Sequence, residues 1–141
     1  MKALFDTNVI LDVLLDRAPF SEDACAVLSM VERSQISGFI CATTVTTIYY
    51  LLTKALGRQK AASHTKALLS IFEIAPVNRA VLENAMASKF RDFEDAVIYE
   101  AACNAWAGYI ITRNVRDFAP STLPVFTPSE FLKLLESMEI T

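Results

Sequence analysis

The chain opens with KALFDTNVILD at residues 2–12, and this stretch decides the fold. Lys2–Phe5 is a short apolar run closed by Asp6, which is the pattern of a buried strand. Val9–Leu15 then carries apolar residues at helical spacing. A buried strand that turns directly into a helix is the repeating unit of a parallel α/β sheet, and Asp6 stands at the turn.

The rest of the chain continues this alternation of short strands and helices. Further strands are predicted at Gly38–Ala42, Ile74–Val77, Tyr109–Thr112 and Val125–Phe126. Further helices are predicted to start at Ser21, at Thr43 or Thr44 through Ala55, at Ala61 through Phe72, at Asn78 through Ala87, at Asp92 through Ala107, and at Pro128. The pattern predicts one α/β domain over residues 1–141, a three-layer α/β/α sandwich with a short-stranded parallel sheet.

Composition is typical of a folded protein outside the membrane. The 141 residues are 53% hydrophobic, which suffices for the core of one domain. No apolar run approaches the roughly 18 residues of a membrane span, and the N-terminal run is too short for a secretory signal. The three cysteines are isolated from one another, so reduced thiols in a cytoplasmic protein are expected.

Acidic residues recur where predicted strands end or helices begin. Asp6 ends the first strand, FRDFED opens a helix at Phe90–Asp95, and TRNVRDF follows a strand at Thr112–Phe118. Parallel α/β sheets bind ligands at the carboxyl ends of their strands, so these segments are expected to converge. Oxygen atoms are the ligands that a hard cation prefers. The predicted site is a divalent-metal site with candidate ligands Asp6, Asp92, Asp95 and Asp117 and with Asn8, Thr112 and Asn114 as neighbouring polar groups.

The best candidates for catalysis at this site are Asp6, Asp95 and Asp117. A metal held there makes water a better nucleophile and offsets phosphate charge, which favours phosphodiester hydrolysis. Each acid also has a purely structural explanation, as a helix cap or a turn residue. A scaffold has little reason to gather repelling charges at one edge, and this favours the functional interpretation.

Several other residues are assigned to surface or core. Asp12 and Glu94 are expected on solvated faces of their helices, as are Asp16, Glu22 and Asp23. Trp106, Phe93 and Phe118 are expected in the core.

The segment from Arg33 to Phe72 has basic residues but no Asp or Glu. Basic residues beside a carboxylate site suit a phosphate backbone with a metal next to it. Lys54, Arg58 and Lys60 are therefore predicted to bind nucleic acid, and a solvated helix face is the alternative.

With these motifs the chain resembles the PIN-domain superfamily, the metal-dependent ribonuclease fold that includes VapC-type toxins. DTNVILD resembles the opening motif, with Asp6 as the first metal-binding Asp. DAVIYEAA, from Asp95, resembles the helix of the third acid, and YIITRNVRDF resembles the final signature with Asn114 and Asp117. The resemblance implies an α/β/α sandwich, Mg²⁺ or Mn²⁺ as cofactor, RNA as substrate, an antitoxin protein as partner, and a homodimer.

The chain departs from the family at the second acid. The family carries Glu or Asp on the helix after the second strand, where this chain reads TTVTTIYYLLTK and the matching position is Thr46 or Thr47. A threonine hydroxyl is a weak neutral ligand, so metal affinity is expected to fall, with Asp92 as a partial replacement if it turns inward.

Three functions remain open at this point. The first is a metal-dependent ribonuclease, either fully active or with activity reduced by the missing acid, as the toxin of a toxin–antitoxin pair. The second is a non-catalytic module of the same fold that binds nucleic acid or a partner. The third is a phosphatase of the haloacid dehalogenase type, but Asn8 breaks the D-x-D pattern of that class.

Overall fold

A five-stranded parallel sheet forms the centre of the computed structural model, which describes residues 1–139. The strands are β1 (Lys2–Phe5), β2 (Ser37–Cys41), β3 (Glu73–Ala75), β4 (Tyr109–Ile111) and β5 (Val125–Phe126). They lie in the order β3-β2-β1-β4-β5, and every neighbouring pair is parallel. From β1 the chain adds β2 and β3 on one side of the sheet and then β4 and β5 on the other. The switch point, where such sheets bind ligands, therefore lies between β1 and β4.

Helices cover both faces of the sheet. They are α1 (Thr7–Leu14), α2 (Ser21–Glu32), α3 (Ala42–Leu56), α4 (Arg58–Ile71), α5 (Arg79–Ala87), α6 (Phe93–Asn104) and α7 (Pro128–Glu139), with a 3₁₀ turn at Val115–Phe118. Alternate residues of β1 face opposite cores: Ala3 and Phe5 pack with α1 to α4 and α7, and Leu4 packs with α5 and α6. This confirms the predicted α/β/α sandwich.

The start of α3 differs from the prediction. The helix begins at Ala42, directly after β2, so neither Thr43 nor Thr44 is its cap. Thr44 is instead fully buried, and its hydroxyl lies 3.0 Å from the hydroxyl of Thr7 on α1. That hydrogen bond joins the starts of α1 and α3 at the same edge of the sheet.

Two predicted core residues are on the surface. Phe118 is buried as expected, but Trp106 is 82% exposed and Phe93 is 46% exposed. Trp106 adopts a left-handed backbone conformation (φ 62°) in the turn from α6 to β4, beyond the packed face of the helix. Phe93 begins α6, whose buried face starts only at Ala96.

Asp12 was expected on the surface and is buried, with 2% of its area exposed. Its Oδ1 lies 2.8 Å from Arg17 Nε, and its Oδ2 lies 3.5 Å from Arg113 Nε. Paired basic groups make the burial of the charge tolerable, and sequence spacing alone does not reveal Arg113 as one of them. Among residues 1–139, no helix combines the length and apolar character needed to cross a membrane.

Candidate active site

An acidic pocket of about 250 Å³ lies at the carboxyl edge of β1 and β4. Asp6 follows β1, Asp92 and Asp95 stand at the start of α6, and Asp117 lies in the 3₁₀ turn after β4. The structure brings these predicted ligands together with predicted polar neighbours; the lining residues are Asp6, Thr7, Asn8, Leu11, Thr47, Leu51, Asp92, Glu94, Asp95, Asn114 and Asp117. Four segments distant in sequence therefore contribute to one site.

Asp6 is the most constrained carboxylate of the pocket. Only 5% of it is exposed, its Oδ1 accepts a 2.8 Å hydrogen bond from the Thr7 N–H, and its Oδ2 accepts a 2.8 Å hydrogen bond from Thr112 Oγ1. Burial raises the pKa of Asp6, the two hydrogen bonds lower it, and the charges of Asp117 and Asp92 raise it further, with burial dominant. A cation placed beside this buried carboxylate would stabilise its ionised form.

The pKa of Asp95 is raised from 3.8 to about 7. Burial is the largest cause, followed by the negative charges of Asp6, Asp92 and Asp117 and by a hydrogen bond with Asp92. Asp92 also caps α6, since its Oδ1 accepts a 3.3 Å hydrogen bond from the Glu94 N–H. Asp92 is therefore both the cap of α6 and one of the acids of the pocket.

Glu94 was expected on a solvated face of its helix, and it is exposed. It also lines the pocket, which the sequence did not predict. Burial raises the pKa of Glu94, and the charges of Asp92 and Asp6 add to the rise. Because α6 begins only at Phe93, Glu94 lies in its first turn, which borders the strand edge. The sequence did contain a signal for this position, because Glu94 lies two residues after Asp92, the predicted cap of the helix.

The structure distinguishes between the two candidate threonines of α3. Thr47 lines the pocket, whereas the Thr46 hydroxyl donates a 2.9 Å hydrogen bond to the Thr43 carbonyl of its own helix. Thr112 lies beneath the pocket, where its hydroxyl also accepts a 3.0 Å hydrogen bond from the Asn114 N–H. The hydroxyl thereby connects the loop after β4 to Asp6.

The donor set suits a hard divalent cation. The pocket offers carboxylate, amide and hydroxyl oxygens, without sulfur or imidazole among its lining residues. Within residues 1–139, no three His, Cys, Asp or Glu side chains stand close enough to enclose an ion. Mg²⁺ keeps several of its waters and is commonly held by one or two carboxylates, so a closed cage is not required. The residues present fit such an ion.

The predicted nucleic-acid-binding residues lie outside the pocket. Lys54, Arg58 and Lys60 are exposed at the end of α3 and the start of α4, and Lys54 Nζ lies 4.6 Å from the centre of the Tyr50 ring. A different set of basic residues borders the acids: Lys89, Arg91 and Arg116 line an adjoining hollow of about 420 Å³ together with Asp92, Asp95 and Asp117. Sequence reasoning missed these residues because they alternate with the acids in the same motifs.

Comparisons with known proteins agree with this architecture. The model of the family described as PIN domain matches residues 2–116, which include Asp6, Asp92 and Asp95. Ribonuclease VapC1 of Aquifex aeolicus is 27% identical over 135 residues, covering 92% of each chain. A toxin–antitoxin complex from Klebsiella pneumoniae matches with a TM-score of 0.68 and 28% identity, covering 89% of this chain and 97% of that chain. FitAcB from Neisseria gonorrhoeae matches in fold with a TM-score of 0.69 at 23% identity, covering 90% and 98%.

Proposed function

The chain belongs to the PIN domain family, and on that premise we propose that it is a metal-dependent ribonuclease that hydrolyses RNA phosphodiester bonds. One observation carries the proposal: Asp6, Asp92, Asp95 and Asp117 converge in a pocket that raises the pKa of Asp95 to about 7. Such a concentration of negative charge is costly without a cation and marks a functional site. The similarity to a protein named ribonuclease VapC1 gives further support.

In this proposal Asp6, Asp95 and Asp117 would bind Mg²⁺ or Mn²⁺ either directly or through its bound waters, with Asp92 at their side. The cation, when bound, supplies positive charge opposite the phosphate and makes water more acidic. Thr112 keeps the Asp6 carboxylate in place through its hydrogen bond. The amides of Asn8 and Asn114 border the same pocket, where they orient water or substrate oxygen atoms.

Because Thr47 is neutral, the site has one negative charge fewer than the family pattern. We infer weaker metal binding and reduced activity. Asp92 and Glu94 partly replace the missing charge, because both line the pocket and both contribute to the electrostatics around Asp6. Their carboxylates are more exposed than that of Asp6, so the replacement is incomplete.

A toxin role with an antitoxin protein as partner is part of the proposal. Its support is the 28% identity to a toxin–antitoxin complex from Klebsiella pneumoniae, over 89% of this chain. A homodimer is proposed through α3, which exposes Tyr49, Tyr50 and Leu51 on consecutive positions. A cytoplasmic location fits an RNA substrate and free thiols at Cys25, Cys41 and Cys103.

The test is cleavage of single-stranded RNA by purified protein with Mn²⁺. Asp6→Asn and Asp95→Asn remove one pocket charge each, and Asp16→Asn removes an exposed charge beyond the end of α1 as the matched control. We expect cleavage by the wild type and by Asp16→Asn, and a loss of at least about 100-fold in the two pocket variants. Intact RNA at high wild-type concentration, or equal cleavage by Asp6→Asn, contradicts the proposal.

A further inference from the structure

A second cavity, of about 190 Å³, lies between the α1–α2 connection, the segment after β4 and the start of α7. Most of its surface is apolar, and its lining residues are Asp12, Pro19, Phe20, Asp23, Arg113, Thr127, Pro128 and Ser129. Pockets for drug-sized ligands measure roughly 300–1,000 Å³, so this one has room for a single ring system.

Two flat groups stack at this cavity. The guanidinium carbon of Arg113 lies 4.2 Å from the centre of the Phe20 ring. Phe20 is nevertheless 40% exposed, although it is a large apolar side chain. A stacked arginine and aromatic ring present a planar surface, which is the kind of surface on which proteins stack unpaired bases.

Arg113 also has unused hydrogen-bonding capacity. Its Nε lies 3.5 Å from Asp12 Oδ2, and among residues 1–139 this buried Nε has no hydrogen-bond partner. Asp12 makes its shorter contact, 2.8 Å, with Arg17. Two cations thus share one buried carboxylate, and the Nε of Arg113 makes the longer of the two contacts.

A third hollow adjoins both the cavity and the acidic pocket. Its volume is about 450 Å³, and it shares the lining residues Arg113 and Thr127 with the cavity and Asn114 and Asp117 with the acidic pocket. Arg113 and Asn114 are adjacent in the chain, so the two sites lie on either side of one short segment. A strand with a phosphate at the acids therefore has a path into the cavity.

We propose that this cavity is a subsite for one unpaired nucleobase of the RNA strand whose phosphodiester lies at the acidic pocket. The inference rests on the proposed ribonuclease function for its choice of ligand, and it adds a determinant of substrate selection. The stacked pair of Phe20 and Arg113 holds the base, and the guanidinium donates to acceptor atoms on its edge.

The start of α7 does not make the cavity a phosphate site. The Thr127 N–H donates to Glu130 Oε1 at 2.9 Å, the Glu130 N–H donates to Thr127 Oγ1 at 3.1 Å, and Pro128 has no N–H. This reciprocal cap uses two of the donors that an anion would need. The apolar lining and the planar pair favour a ring instead.

The test compares two RNA ligands in EDTA, where cleavage is absent. A fluorescently labelled uridine octamer and an abasic ribose octamer of the same length differ only in their bases. The ratio of their dissociation constants measures how much the bases contribute to affinity, whichever nucleotide of the octamer occupies the cavity. Phe20→Ala and Phe20→Leu remove the ring, and Trp106→Ala removes an exposed ring from the turn between α6 and β4 as the matched control.

We expect the base contribution to fall about tenfold in both Phe20 variants and to stay at the wild-type value in Trp106→Ala. Thermal melting tests whether the variants remain folded, and Phe20→Leu retains apolar volume if Phe20→Ala does not fold. An unchanged ratio in a folded Phe20 variant overturns the subsite and leaves a partner protein's side chain as the occupant to examine. Cleavage by the wild type in Mn²⁺ is measured separately, so failure of the ribonuclease proposal is distinguishable from failure of the subsite.

Discussion

Thr112 Oγ1 donates a 2.8 Å hydrogen bond to Asp6 Oδ2 across a separation of 106 residues. The bond joins the end of β4 to the end of β1, the two strands on either side of the switch point. It opposes the rise that burial causes in the pKa of Asp6. The Thr112 hydroxyl thus favours the ionised form of a buried carboxylate and orients it, as a metal ligand requires.

Thr112→Val is expected to weaken Mn²⁺ binding about tenfold, because the loss of a hydrogen bond to a ligand carboxylate typically costs 10- to 100-fold in metal affinity. Calorimetric titration measures this. Thr112→Ser keeps the hydroxyl and should bind Mn²⁺ like the wild type. Equal affinities of the valine and serine variants would show that the hydroxyl does not support the site.

The stability of the metal-free protein should fall as pH rises through about 7. The pKa of Asp95 in the folded protein, about 7, is above its ordinary value of 3.8, so the folded state binds a proton that the unfolded chain has released. This contribution to stability is fully present below the unfolded pKa and is lost as pH passes the folded pKa. Thermal melting in EDTA at about pH 6 and about pH 8 should give the higher midpoint at the lower pH.

Asp95→Asn removes the titrating group and should remove most of that pH dependence, while raising the melting temperature at the higher pH. Asp16→Asn, at an exposed position, is the control and should melt like the wild type. A wild-type midpoint that rises with pH over this interval, or an Asp95→Asn variant with an unchanged slope, would contradict the electrostatic description.

Asp12→Ala should destabilise the fold by about 2 kcal/mol, because it removes a buried carboxylate that pairs with two partly exposed basic groups. The basic groups are Arg17 and Arg113, which both face Asp12. Urea denaturation measures the change, and Asp16→Asn, at an exposed position, should stay within about 0.5 kcal/mol of the wild type. A loss of less than about 1 kcal/mol for Asp12→Ala would indicate that solvent replaces the carboxylate.

The two sets of basic residues can be tested separately for RNA binding. Alanine replacement of Lys89, Arg91 and Arg116 beside the acids, or of Lys54, Arg58 and Lys60 on α3 and α4, should weaken binding of single-stranded RNA in EDTA. Each lost phosphate contact should lower the slope of log affinity against log salt by about 0.7. A triple variant that keeps both the affinity and the slope would exclude its surface from the interface.

The sequence was sufficient for the architecture because strand and helix periodicities alternate clearly. β1 and β5 fall at the predicted positions, and Asn78 and Asp92 cap α5 and α6 as predicted. The convergence of Asp6, Asp95 and Asp117 was also predictable, since parallel strands end at a common edge. The metal role of these residues stays a prediction.

Other features depend on tertiary contacts that spacing does not encode. The burial of Asp12 depends on Arg113, 101 positions away. The choice between Thr46 and Thr47 depends on the rotation of α3, which the buried contact between Thr7 and Thr44 helps to set. Trp106 is exposed because it lies at a left-handed position of a turn, and no glycine at that position marks the turn in the sequence.

The most direct test of the account is calorimetric titration of Mn²⁺ into the wild type, Asp95→Asn and Thr47→Glu. The account predicts measurable binding by the wild type, none by Asp95→Asn, and binding about tenfold tighter by Thr47→Glu, because that substitution returns a carboxylate to a pocket-lining position. Absence of binding in both the wild type and Thr47→Glu would contradict the assignment of the acidic pocket as a metal site.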